Sequence, residues 1–328
     1  MKPVNASSNH KTTGTPMGRR RGAWSVWPKL LAGSGYPYTN TRVRVMRSKL
    51  FAHSEIMRLV RLTLPEIALQ LQQSEYQTEI NALARTQEGA NLIEYALNRN
   101  LENTFRRILG FSIRVANDQI RLYLQRYDVY NIKTFLAGKA ARKKNEAILS
   151  ELVCAGALSR SFFERAVGRA NDFEGAIVEL GGTEYQPIAL EFQSDLAKLQ
   201  DELDKHYYRK VVDLAEPDLL GFIRDEIKAK NTLNWMRAQK NNLTLDVLPD
   251  ESEREFRLPH AGESVENRVF LKKFLLKRGG DMAREFKRNI RPVLGYLIAK
   301  ENEVANIRII ARGKKAGLDE KTIENQIV

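Results

Sequence analysis

Side chains that could act as a base, a nucleophile or a metal ligand are few in this 328-residue chain, and they are scattered. The four histidines, His10, His53, His206 and His260, stand alone. An imidazole serves as a general base or a zinc ligand only with partners in reach. His206, within Lys205-His-Tyr-Tyr208, falls on a helical stripe and reads as a packed or surface residue. The single cysteine, Cys154, can form no internal disulfide and has no Cys/His cluster around it, which excludes a stapled scaffold and a structural zinc module. In Leu152-Val-Cys-Ala-Gly-Ala-Leu158 it reads as a small buried apolar residue. Paired carboxylates are plentiful, but on solvated helices they carry almost no specificity for acid–base chemistry. The chain has no phosphate-cradling glycine loop, dinucleotide fingerprint, zincin helix, serine elbow or EF-hand loop. No catalytic, cofactor-binding or metal-ligating residue is therefore assigned, and the chain reads as a non-enzyme.

The elements that carry these residues are helical. Val43, Met46, Leu50, Met57 and Val60 recur at spacings of three, four or seven. Ile93, Leu97, Leu101, Phe105 and Ile108 form a second stripe, and Phe192, Leu196, Leu199, Leu203, Tyr207 and Val211 a third. Such stripes predict helices with one buried face. Helix starts are expected at Thr63-Leu-Pro-Glu66, where a cap, an early proline and a returning glutamate coincide, and at Glu216-Pro217. Strand-like alternation is confined to Leu243–Leu248, ahead of a charged loop reaching about residue 264. The expected fold class is all-α. No apolar run approaches the roughly 18 residues that would span a bilayer.

The net charge of +13 is unevenly placed. Residues 1–37 hold Lys2, Lys11, Arg19, Arg20, Arg21 and Lys29 with no acid, together with four prolines, and read as a basic flexible tail. The remaining excess is interspersed with carboxylates, as on a solvated surface. Arg19–Arg21 with Trp24 and Trp27 allow a weak lipid contact through the tail. In the body, Arg42, Arg44 and Arg47 form a basic run with few acidic neighbours in sequence and are the candidate partner-binding residues.

An internal repeat organises the body. Asn131-Ile-Lys-Thr-Phe-Leu-Ala-Gly-Lys139, Asn231-Thr-Leu-Asn-Trp-Met-Arg-Ala-Gln239 and Asn306-Ile-Arg-Ile-Ile-Ala-Arg-Gly-Lys314 share an Asn start, an apolar middle and a small residue before the end. Thr41–Lys49 fits the frame without the Asn. The repeat positions singled out are Asn131, Lys139, Asn231, Arg237, Asn306, Arg312 and Lys314. Acidic helix segments, Ile93-Glu-Tyr-Ala-Leu-Asn98 and Asp201-Glu-Leu-Asp204, lie upstream of two copies, with Val265-Glu-Asn267 a weaker third. Internal pairing between the basic and acidic helices, as of Glu202 or Asp204 with Arg237, is preferred over partner contact. Three helical units are expected, over about 38–145, 146–250 and 251–328.

Three segments also carry a family resemblance. Tyr38-Thr-Asn-Thr-Arg-Val-Arg-Val-Met-Arg-Ser-Lys-Leu50, Tyr127-Asp-Val-Tyr-Asn-Ile-Lys133 and the stretch from Lys300-Glu-Asn-Glu-Val-Ala-Asn-Ile-Arg308 to Leu318 resemble the opening, the central turn and the C-terminal segment of the C subunit of archaeal/V-type (A/V-type) rotary ATPases, the counterpart of the d subunit in the vacuolar enzyme. Departures are Ala137, where a basic residue is usual, Gln239 in a lysine slot, and the long tail. The resemblance implies a pseudo-threefold, funnel-like socket of three helical domains that does no chemistry itself. It implies a peripheral membrane protein on the cytoplasmic side, seated between the proteolipid rotor ring and the D and F subunits of the central stalk and acting indirectly on the catalytic A/B head. It would transmit torque for proton or sodium transport, with no cofactor and no nucleic acid. The competing reading, motivated by the basic balance, is a helical nucleic-acid-binding protein; the body lacks a clustered Lys/Arg helix and an aromatic stacking motif.

Overall fold

Helices begin where the sequence offers caps and end where an apolar stripe runs out. The computed structural model describes residues 35–241 and 264–328, with the side chains of 237–241 excepted. Leu243–Leu248, most of the basic tail and the side chain of Arg237 therefore lie outside the described residues. In chain order the helices are α1 (Tyr36–Arg47), α2 (His53–Val60), α3 (Leu64–Gln72), α4 (Gln77–Leu83), the long α5 (Gly89–Phe111) and α6 (Arg114–Leu124). There follow α7 (Arg126–Ala140), α8 (Asn145–Glu151), α9 (Arg160–Arg169), α10 (Phe173–Glu179), α11 (Gln186–Glu191), α12 (Leu196–Leu214), α13 (Pro217–Asn241), α14 (Val265–Arg284), α15 (Arg291–Lys315) and α16 (Glu320–Glu324). Among the described residues there is no strand, and the fold is all-α.

At α3 the Glu66 carboxylate accepts from the Thr63 backbone N–H at 2.8 Å and from its hydroxyl at 2.7 Å, which satisfies donors that the first turn leaves unpaired. Pro217 opens α13. Every member of the Ile93–Ile108 stripe is buried along α5. The first stripe is split between two helices, because the chain leaves α1 after Arg47 and re-enters at His53. The third stripe loses its first member. Asp195 caps α12 by accepting from the N–H groups of Ala197 and Lys198, so Phe192 lies ahead of the helix.

One hydrophobic core runs from Tyr36 to Ile327 and includes the fully buried rings of Tyr76, Phe105, Tyr123, Phe135, Phe163 and Tyr208. Helix α15 packs on α14, on α5, and on α1 and α2, so the end of the chain returns to its beginning. No described helix is long and apolar enough to cross a membrane.

The sequence repeat has a physical counterpart. Asn131 Nδ2 donates to the Val153 carbonyl at 2.9 Å, and its Oδ1 accepts from the Val153 N–H at 2.9 Å. Asn306 makes the same two bonds to Val328, the last residue, at 2.6 and 3.2 Å. In both cases the partner stands 22 residues on; the Asn Oδ1 takes the partner's backbone N–H, while its Nδ2 adds a second donor to a carbonyl that also accepts from Ala155 N–H in one copy and from Asn302 Nδ2 in the other. Seven residues after each Asn, Gly138 and Gly313 face Ile148 and Ile323. A Cβ on either glycine would sit 2.6 Å from the isoleucine Cγ1, so only glycine allows this approach. Both helices also end alike, with Lys143 N–H on the Gly138 carbonyl and Leu318 N–H on that of Gly313, each 2.9 Å. The left-handed residue before that bond is Gly317 in one copy and Arg142 in the other.

Candidate functional site

Asn131, Asn231 and Asn306 sit on α7, α13 and α15, and five residues before each stand Arg126, Glu226 and Glu301. Five residues is about 140° around a helix. While the asparagines at 131 and 306 point to loop backbone, these upstream residues turn the other way and meet.

Arg126 Nη2 contacts Glu226 Oε2 at 2.5 Å. Its Nη1 donates to the Tyr123 hydroxyl at 3.2 Å, and that hydroxyl donates to Glu301 Oε2 at 3.0 Å. Tyr127 donates to the other Glu301 oxygen at 2.9 Å, and Tyr208 donates to Glu226 Oε1 at 3.0 Å. The guanidinium also lies 4.0 Å from the Tyr123 ring centroid. One carboxylate thus contacts the buried cation directly and the other through the Tyr123 hydroxyl, and their pKa values shift in opposite directions. Burial pushes Glu226 up, but the charges of Arg126 and Lys230 outweigh it and hold its carboxyl below the usual range. Glu301 is raised, because burial there exceeds what Arg126 and the tyrosine hydroxyls return. Against this junction opens a cavity of about 450 Å³, whose wall includes Tyr130, Lys133, Asp204, Lys230 and Arg308. Breaking a buried ion cluster of this kind is costly, since each member removed leaves an uncompensated charge.

The residues expected to face a partner are mostly turned inward. Asn131 and Asn306 are the backbone clamps described above. Lys139 is buried, donating to Asn145 Oδ1 at 2.8 Å and to the Ala170 carbonyl at 2.6 Å, and burial lowers its ammonium pKa. Arg312 bridges to Glu94 at 2.6 Å, and the neighbouring Arg308 donates to Asn98 at 2.5 Å. These are the internal contacts expected of the acidic segment. At Ala137, where Arg312 has its equivalent, no such bridge is open to the methyl side chain. Asp204 pairs with Lys133 at 2.7 Å, and Glu202 with Lys205 at 2.9 Å. Lys133, two residues after Asn131, holds the place taken by Arg308 after Asn306. Asn231 is half-buried on α13, and Lys314 is half-buried at the end of α15.

Arg42, Arg44 and Arg47 do not make one row. A two-residue step on a helix turns a side chain by about 200°. Arg42 therefore lies over the Phe111 ring with its Nη1 on the Tyr38 hydroxyl, while Arg44 donates to the Glu285 carbonyl at 2.9 Å and lies over Phe286. Cys154 is buried, and desolvation pushes its thiol up to about 12. His206 stands 3.3 Å from Glu184 at the surface. No group of three or more His, Cys, Asp or Glu placed to hold a metal ion occurs among the described residues. Residue types alone do not reveal the Arg126–Glu226–Glu301 junction, although its signal stands in the sequence, five residues upstream of the aligned asparagines.

The chain matches known proteins along most of its length. The family model described as the ATP synthase (C/AC39) subunit matches residues 39–266 and 263–326. This chain belongs to that family. It is 31% identical to the C subunit of the A-type ATP synthase of Methanococcoides burtonii, with 90% of this chain and 95% of that protein covered. The corresponding A-type ATP synthase C subunits of Methanosarcina mazei and Haloferax volcanii are each 30% identical to it, covering 92% and 90% of this chain and 94% and 98% of theirs. The family match spans the three Asn-led helices, so the close glycines, the buried junction and the Asn131–Val153 clamp lie within it, with only Val328 of the second clamp beyond its end.

Proposed function

We propose that this chain is a non-catalytic central-rotor component of an A-type ATP synthase. It would occupy the cytoplasmic side of the membrane as a peripheral protein and couple the proteolipid ring to the D and F subunits of the central stalk, and through them to the catalytic A/B head. The names of its relatives support membership of such a complex. The single observation that carries the mechanical role is the junction of Arg126, Glu226 and Glu301, where three helices placed alike in the repeat lock together beside an open polar cavity. A torque coupler must resist twisting between its two attachments. Dense interdigitated packing supplies stiffness, and a buried, hydrogen-bonded ion cluster fixes the register of the helices that meet there. On this reading the three helical units surround the cavity, and the cavity seats the stalk.

The test is affinity purification of the tagged full chain from detergent-solubilised native membranes, followed by mass spectrometry. Recovery of a proteolipid with stalk and head proteins is expected. Recovery of soluble enzymes or nucleic acid without a proteolipid would overturn the reading.

A further inference from the structure

The most exposed large hydrophobic residue among those described is Phe286, at 88%. It stands in the connection between α14 and α15, and the first helix of the body holds that connection rigid. Asn40 Nδ2 donates to the carbonyls of Lys287 at 3.1 Å and Asn289 at 3.2 Å, while Arg44 donates to that of Glu285 and places its guanidinium 4.6 Å from the Phe286 ring centroid. An aromatic ring is thus presented to solvent on a braced loop, which no internal packing requirement explains.

Several cations stand close to it in sequence or on α1, and one of them, Arg44, lies over the ring. Arg44 and Arg47 come from α1, Arg284 from the last position of α14, and Lys287 and Arg288 from the loop. The carboxylates at hand are Asp281, which pairs with Arg284 at 3.4 Å, Glu285, which Arg291 and Lys287 share, and Asp218, which is taken up by Asn289 at 2.7 Å and Arg291 at 3.6 Å. Arg47 has no acidic partner among the described residues. Burial, and then the like charge of Arg284, lowers its pKa from the ordinary guanidinium value. Keeping like charges together around an exposed ring is unfavourable in the free protein, and an external anionic surface would relieve it.

We infer that Phe286 and the neighbouring Arg44, Arg47, Arg284, Lys287 and Arg288 form a docking patch for a bilayer surface rich in anionic phospholipid. An aromatic side chain lodges at headgroup depth, and basic residues within a Debye length of the surface are attracted to lipid phosphates. The patch differs from the basic tail and does not depend on the rotor assignment, because it calls only for a membrane surface.

The experiment is co-sedimentation of the full-length protein with phosphatidylcholine vesicles, with and without phosphatidylglycerol. The wild type is expected to bind the anionic vesicles, and less so as salt is raised. The triple variant Arg47→Gln, Lys287→Gln, Arg288→Gln should partition about a hundredfold more weakly, and Phe286→Ser alone about tenfold more weakly. Both change exposed or half-exposed side chains, and unaltered circular dichroism and melting temperature verify that they fold. A control change at exposed Arg165, Arg165→Gln, should leave binding as it is. Equal binding by wild type and triple variant would overturn the inference, and so would binding abolished only when Arg19, Arg20 and Arg21 are neutralised, which assigns it to the tail. Absence of wild-type binding to either vesicle would overturn it too, and loss of complex assembly in the triple variant would then assign the patch to an acidic protein face.

Discussion

The α7–α8 pair and the α15–α16 pair are built to one plan and differ in how they are used. Each has the asparagine clamp, the glycine packed on isoleucine and the same helix ending. The clamped carbonyl also accepts the Ala155 N–H in the first and the Asn302 side chain in the second. Their acids diverge as well. Asp128, three residues before Asn131, accepts the backbone N–H groups of Ala157 and Leu158 at 2.7 and 2.9 Å. Glu303, three before Asn306, accepts from Phe51 N–H, Tyr76 hydroxyl and Lys300 Nζ, and so ties the last long helix to the start of the chain. The lesson is that backbone register and close approach hold the repeat together, while side-chain charge is free to change with each copy's surroundings.

The largest effect should come where the copies meet. Arg126→Ala leaves Glu226 buried without its cation, and chemical denaturation should report about 3–5 kcal/mol of lost stability. Next comes the clamp. Asn131→Ala strands the buried N–H of Val153, whose carbonyl keeps its bond from Ala155 N–H, at an expected cost of about 2–3 kcal/mol. Asn306→Ala should cost a similar amount, because it strands the buried Val328 N–H in the same way while Asn302 keeps the carbonyl. A loss at only one of the two would break the case for a shared clamp.

Asp128 supplies a pH window. Burial raises its carboxyl from 3.8 to about 6 against the pull of two backbone N–H groups. The folded state therefore binds more protons than the unfolded chain between those values. The resulting stability is complete below the lower value and is lost as pH rises to the upper, by about 3 kcal/mol. Measured as the difference between wild type and Asp128→Asn, the effect should shrink from pH 4 to pH 6 and then level off; a flat difference would contradict the burial argument. The smallest effect expected is from Gly138→Ala and Gly313→Ala, about 1–3 kcal/mol each by overpacking against Ile148 and Ile323. Similar values in the two thermal melts would sharpen the case for one packing plan, and a cost at only one site would break it.

Much of this is legible in the sequence. Stripes such as Ile93–Ile108 define their helices, because burying one face of a 3.6-residue period leaves a readable mark. The alignment of Asn131 with Asn306 also carries the glycine register, down to the matching isoleucine contacts. The junction is hidden for a physical reason. Arg126, Glu226 and Glu301 occupy one repeat position with opposite charges, so their attraction makes them unlike and a search for shared residue types passes over them. The clamp partners are equally hidden, since Val153 and Val328 contribute only backbone. The arginines of α1 look like a row because sequence adjacency conceals the 200° turn between Arg42 and Arg44, a turn of about that size following from two helical steps. Their true neighbours, Phe111 and Phe286, lie far along the chain.

The most direct test of the rotor account is a photo-crosslink from the cavity wall in the assembled complex. Tyr130, 44% exposed and lining the cavity, is replaced by a benzoyl-phenylalanine, and ATP-driven ion pumping is followed before and after irradiation. The account predicts an adduct with a central-stalk protein in complexes that go on pumping, because parts that turn together can be joined without stopping rotation. An adduct with a stationary part of the complex, or pumping lost in proportion to a stalk adduct, would contradict it.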